Sequence, residues 1–136
     1  MPQENLDPNF VGEGIYKENI LDHYRNPHNK GEIVDAEIKF TENNPVSGDV
    51  ITINLKLDGD MVVDAKFGGI GCAISQAAAS MLTDEIKGKS LDEVKDLKRE
   101  DVIQLLGIEI GIVRTKCAVL SLVAVKEGIK ELEKNS

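Results

Sequence analysis

The sequence predicts an α+β fold, a three-stranded antiparallel sheet covered by helices. Residues 36–41, 50–57 and 62–67 alternate apolar and polar side chains with period two, the pattern of a sheet with one buried face. From Gly68 onward the apolar spacing becomes helical, so the helices that follow the strands must supply the cover for that face.

Taken in order, residues 1–14 are polar and unpatterned, a flexible segment ahead of a single domain over residues 15–136. Tyr16, Ile20, Leu21 and Tyr24 fall at helical spacing. Asn26-Pro27 ends that helix, because the residue before proline is pushed out of the helical region. The apolar faces of the strands read Ala36, Ile38 and Phe40, then Ile51, Ile53, Leu55 and Leu57, then Val63, Ala65 and Phe67. Asp58-Gly59-Asp60 closes a tight hairpin between the second and third strands. Asn43-Asn44-Pro45-Val46-Ser47-Gly48-Asp49 is too polar and too rich in turn residues for strand, and reads as loop. Ile74, Ala77, Ala78, Met81, Leu82 and Ile86 form one helical stripe, stopped by Gly88. Ser90-Leu91-Asp92-Glu93 has the capping-box pattern of a helix start. A short helix from Glu100 to Leu106 ends at Gly107, and a last stripe follows through Ala118, Leu122, Val125, Ile129 and Leu132.

The 136 residues carry a formal net charge of −8 without a basic run, which argues against a nucleic-acid surface. The absence of tryptophan and the few aromatics argue against a base-stacking platform. No apolar stretch is long enough to span a membrane. Met1-Pro2-Gln3-Glu4-Asn5 lacks the basic and apolar regions of a signal peptide, so the expected setting is cytoplasmic and reducing. In that setting two cysteines suggest metal or sulfur chemistry rather than a disulfide.

Three glycines at positions 68, 69 and 71 precede Cys72 and a helix rich in small residues. Glycine leaves space beside the sulfur, and a helix start favours thiolate over thiol. The competing reading of Cys72 is a free cysteine packed as a small hydrophobe. Cys117 is placed similarly, at the start of the last helix with Arg114 and Lys116 nearby, features that lower a thiol pKa. If the sheet brings these loops together, Asp49 becomes a third ligand candidate, and sulfur with carboxylate suits zinc or iron. Against this, Asp49 after Gly48 is often only a turn residue, and Lys116 is more often a solvated cation than a ligand. His23 and His28 flank a helix end and are read as surface or capping residues rather than metal ligands. The glycines lack the flanking pattern of a phosphate-binding loop.

These residues, with their neighbours, resemble the IscU/SufU family of iron–sulfur cluster assembly scaffolds, also seen as the N-terminal module of NifU. The resemblance covers residues 16–132. It is carried by Ile20-Leu21-Asp22-His23-Tyr24-Arg25-Asn26-Pro27-His28-Asn29, Pro45-Val46-Ser47-Gly48-Asp49, Gly69-Ile70-Gly71-Cys72-Ala73-Ile74-Ser75, Lys87-Gly88-Lys89-Ser90 and Arg114-Thr115-Lys116-Cys117-Ala118. It implies a scaffold and carrier rather than an enzyme. Such a scaffold takes sulfur from a cysteine desulfurase, binds iron or a [2Fe-2S]-type cluster, and passes it to apo iron–sulfur acceptor proteins. Cys72, Cys117 and Asp49 fall on three of the family's ligand positions, and Cys117 becomes the candidate persulfide acceptor, with Lys116 as a nearby cation.

The fourth ligand position, a cysteine in the family's Cys-Gly-Asp motif, is Ser47 here, a weak ligand because its hydroxyl stays protonated near neutral pH. Arg114-Thr115-Lys116-Cys117-Ala118 looks closer to SufU-like chains, yet the stretch from Cys72 to Cys117 lacks the insertion those chains carry. Two alternatives follow from the resemblance: a zinc-binding, SufU-like sulfur-transfer partner of the desulfurase, or a binding-only regulatory paralogue. The segment that IscU-like members offer to an Hsp70-type chaperone corresponds to Ile110-Gly111-Ile112-Val113-Arg114, which lacks both prolines and with them the preformed extended conformation.

Overall fold

The computed structural model describes residues 18–107 and 111–135. Residues 1–14, read above as a flexible segment, and Tyr16 lie outside them. Helix α1 spans Glu18–Arg25. Three strands follow, β1 Ile38–Asn44, β2 Asp49–Asp58 and β3 Met61–Ile70, joined as an antiparallel meander in the order β1-β2-β3. Then come α2 Ala73–Ile86, α3 Leu91–Lys95, α4 Arg99–Leu106, α5 Ile112–Ala118 and α6 Leu120–Lys134. Helices α2 and α6 lie against the same sheet face, α2 on β3 and α6 on β1 and β2, and α1 packs on α2.

Ile51, Ile53, Leu55 and Leu57 of β2 are all buried, as their alternation requires. The first expected loop is shorter than its composition suggests. Asn43 and Asn44 continue β1, Asp49 opens β2, and Asn44 pairs with Asp49. What remains is a tight turn over residues 45–48, closed by the Gly48 N–H on the Asn44 carbonyl at 2.7 Å, with Gly48 at φ +82°. The third strand also departs from its expected face. Val62 is fully buried and Val63 is 53% exposed. Lys56 pairs with Asp64 but Leu57 pairs with Val62, so Val63 is an extra residue, a β-bulge that inverts the alternation ahead of Ala65.

Helix α2 runs through the centre of the molecule. Every residue from Ile74 to Thr83 is buried, including Ser75, Gln76, Ser80 and Thr83. The polar ones are largely used to fasten the α1–β1 connector. Ser80 Oγ pairs with His23 Nδ1 at 2.7 Å and accepts the His28 N–H at 2.8 Å. His28 Nδ1 meets Asp84 Oδ2 at 2.6 Å, and Asn29, at φ +63°, donates to Thr83 and Asp84. The capping box at Ser90 forms with both of its hydrogen bonds.

The last stripe belongs to two helices rather than one. The chain breaks at Val119, at φ −100° and ψ 5°, so Cys117 lies in the final turn of α5 and not at a helix start. Helix α6 crosses β1 at Gly128, where a Cβ would come within 2.6 Å of Ile38 Cγ2 and 3.2 Å of Phe40 Cβ. Gly128→Leu gains helix propensity but overpacks this crossing, so we expect a net loss of about 1–2 kcal/mol in unfolding free energy, measured by urea denaturation.

Candidate metal centre

Three chain segments meet at the end of the sheet where β2 begins and β3 ends. Asp49 is the first residue of β2 and is 2% exposed. Cys72 is the N-cap of α2 and is exposed; it makes no side-chain cap bond. Cys117 is 5% exposed. One ligand atom from each lies within 4.8 Å of the other two.

The approach is built by backbone. Gly69, at φ +119°, crosses β2 so closely that a Cβ would lie 1.9 Å from the Val50 carbonyl oxygen. A Cβ on Gly71 would come 2.3 Å from Ser75 Oγ and 2.8 Å from Asp49 Oδ1. With no side chain in the way, Asp49 Oδ1 accepts the Cys72 N–H at 3.0 Å, while Asp49 Oδ2 lies 3.9 Å from Cys72 Sγ. Ser75 donates to the Cys72 carbonyl at 3.1 Å and places its Oγ 3.9 Å from the same sulfur. Ser47, Gly48, Ile70 and Arg114 complete the rim of an open depression over these three residues.

The donor set fits a soft or borderline divalent ion. Metal–sulfur bonds of ~2.3 Å and metal–oxygen bonds of ~2.0–2.2 Å place two ligands of one ion within about 4.6 Å of each other. The observed separations are of that size, and the carboxylate is buried beside the thiols. Cys72, Cys117 and Asp49 would hold such an ion, with Ser47 beside the position left open.

The expectation of a lowered Cys117 thiol pKa does not hold. Burial, followed by the Asp49 carboxylate, pushes this thiol up to about 11, and the Ser47 hydroxyl only partly offsets them. The helix-start argument fails because Cys117 occupies the last turn of α5, away from the free N–H groups of a helix start. Of the two expected cations, Arg114 lines the depression. Lys116 is exposed and lines a separate groove with Glu42, Asn43, Val46, Val119 and Val123. His23 and His28 are engaged with α2. Two contributors are not among the site residues expected from sequence, although Ser75 ends one of the segments that carry the family resemblance. Asn44 and Ser75 are both buried polar residues, and each has a side-chain contact with a candidate ligand sulfur. The preference of asparagine for turns was the only hint for Asn44.

A family model described as the NifU-like N-terminal domain matches residues 15–136. The chain is 40% identical over 136 aligned residues to the zinc-dependent sulfurtransferase SufU of Bacillus subtilis (strain 168), covering 88% of this chain and 92% of that protein. It is 37% identical over 117 residues to the iron–sulfur cluster assembly scaffold protein IscU 1 of Archaeoglobus fulgidus, covering 85% and 74%. A crystal structure described as a candidate iron–sulfur cluster assembly scaffold protein for the SUF system, from Fervidobacterium islandicum AW-1, superposes with a TM-score of 0.73. It is 27% identical and the match covers 85% of this chain and 96% of that one.

Because Asp49 raises the Cys117 pKa, Asp49→Asn brings that thiol down toward its ordinary value and increases the thiolate fraction at mildly alkaline pH. We expect alkylation of Cys117 in the metal-free variant to be severalfold faster, read peptide by peptide by mass spectrometry. A rate equal to the unmodified chain's would show that access, not charge, limits this sulfur.

Proposed function

The chain belongs to the NifU-like N-terminal domain family, and from that membership we propose that it is an iron–sulfur cluster assembly scaffold. In this reading it receives sulfur from a cysteine desulfurase, holds iron or a [2Fe-2S]-type cluster, and hands it to apo acceptor proteins. The observation that carries the proposal is the meeting of Cys72, Cys117 and Asp49 within 4.8 Å of one another. Two thiolates and a carboxylate suit iron, and the harder oxygen ligand suits cargo that must later leave. Such a chain acts as a carrier, not as an enzyme with turnover of its own. It works where thiols stay reduced, as in the cytoplasm. No helix among the described residues is long and apolar enough to cross a membrane.

The two thiols take different parts. Cys72 is exposed and is the sulfur a partner reaches first. Cys117 is buried and protonated near neutral pH, and a cation held by Asp49 and Cys72 would favour its thiolate, the form that ligates a metal or accepts sulfur. Its thiolate then attacks the outer sulfur of the desulfurase persulfide. A new S–S bond forms on Cys117, the donor S–S bond breaks, and the electron pair leaves on the desulfurase thiolate. Arg114 at the rim supplies positive charge for the arriving anionic sulfur.

A second reading, zinc-dependent sulfur transfer, is favoured by the 40% identical relative bearing that description and by a donor set that suits zinc equally well. Anaerobic reconstitution separates the readings. A scaffold gains iron and inorganic sulfide together, with charge-transfer absorption in the visible. A zinc sulfur-transfer protein retains zinc and gains no sulfide, and a binding-only paralogue retains neither. Ser47→Cys adds a thiol where a protonated hydroxyl now faces Cys117. We expect this variant to hold more iron and sulfide per chain and to lose it more slowly, increasingly so as pH rises toward the thiol pKa. Equal loading and lifetime in the two proteins would show that position 47 supplies no ligand.

A further inference from the structure

Asn44 joins three parts of the candidate centre and has no part in the function just proposed. It is 8% exposed. Its backbone pairs with Asp49 across β1 and β2, and its carbonyl closes the turn that carries Ser47. Its side-chain Oδ1 accepts the Val46 N–H at 3.2 Å. That bond fixes the orientation of the amide, because only the oxygen can accept from a backbone N–H. Nδ2 is therefore turned to the Cys117 sulfur, 4.0 Å away. Asn44 also lines the groove beside Lys116 and Val119, so the amide stands at the boundary between that groove and the buried sulfur.

We propose that Asn44 is a positioning residue for the metal or cluster: its N–H holds the Cys117 sulfur turned toward Asp49 and Cys72. The inference rests on the reading of those three residues as one ligand set. Groups behind a metal ligand fix its orientation, and their loss typically costs 10–100-fold in metal affinity. Asn44 acts through Cys117 and does not touch the ion.

The test uses the full reduced chain and cobalt(II) alone as the probe, following affinity and the sulfur-to-cobalt charge-transfer band. Asn44→Ala removes both hydrogen bonds of the amide. Asn44→Asp keeps the acceptor for the Val46 N–H but presents oxygen, without a proton, to the sulfur. We expect Asn44→Ala to bind cobalt about 10-fold or more weakly. Both variants should lose the share of the band, per bound cobalt, that one of the two sulfurs contributes. The aspartate variant should do so even though its turn is intact and its unfolding midpoint stays near that of the unmodified chain. If Asn44→Asp gives the full band, Asn44 serves only the turn and the inference is overturned. Should both variants be destabilised, their comparison still decides: a turn role makes Asn44→Asp the stronger band of the two, a sulfur role does not. An unmodified chain that shows no sulfur-to-cobalt band at all overturns the ligand set itself, and this inference with it.

Discussion

The hydrogen bond from the Cys72 N–H to the carboxylate of Asp49 is the constraint on which this end of the molecule depends. A carboxylate 2% exposed is costly unless it is paired. Here it is met by a backbone donor at the start of a 14-residue helix, a charge-assisted bond worth roughly 1.5–3 kcal/mol with the helix dipole adding to it. The bond has geometric preconditions, and the sequence supplies them. Gly71 must lack a side chain, Gly69 must cross β2 at a positive φ, and the turn between β1 and β2 must be tight enough to start β2 at Asp49. The same carboxylate that fastens strand to helix then points its second oxygen at the Cys72 sulfur. Structural cohesion and the placement of the candidate ligands are one arrangement.

Much of this was legible from residue order. The alternation of β2, the two-residue hairpin turn after Asp58, the stripe of α2 and the capping box at Ser90 all form as their patterns require. What escaped has physical causes. A bulge costs one residue and leaves no composition mark, so Val63 reads as core until the register with β2 is known. The break at Val119 has neither glycine nor proline to announce it, since the sequence through it is Lys116-Cys117-Ala118-Val119-Leu120. That break puts Cys117 in the last turn of α5, and the upward shift of its pKa comes from burial and from Asp49, neither of which residue order shows. The meeting of Asp49, Cys72 and Cys117 was only conditional from sequence, because it needs the antiparallel pairing of β2 with β3 to bring positions 49 and 72 together.

The two sulfurs then differ in a way that motif similarity alone would miss. Cys72 is reachable from solvent, whereas Cys117 is enclosed and held as a thiol by burial and by Asp49. Repulsion between the carboxylate and a Cys117 thiolate is a cost while the site holds no cation. When a divalent cation arrives, its charge exceeds that of either neighbour and the same three groups attract it together. On the proposed reading, Cys117 is therefore a poor nucleophile while the site is empty and becomes a ligand only once a cation is held there. That asymmetry protects a buried thiol from indiscriminate oxidation, which follows thiolate character and exposure.

Ser47 sets the limit of that design. With cysteine at position 47 the centre would have three thiols and one carboxylate, a closed set of four. With serine it has two thiols, one carboxylate and a hydroxyl that stays protonated unless a cation acidifies it strongly. The charge available to neutralise a divalent ion falls from four negative groups to three, while the guanidinium of Arg114 remains at the rim. On the proposed reading a weaker hold follows, and with it a position open to a ligand from outside the chain. A carrier gains from that openness only if the remaining ligands are well oriented, since each now bears a larger share of the binding. If Cys117 is a ligand, as proposed, accurate placement of its sulfur matters more in this chain than it would with a cysteine at position 47.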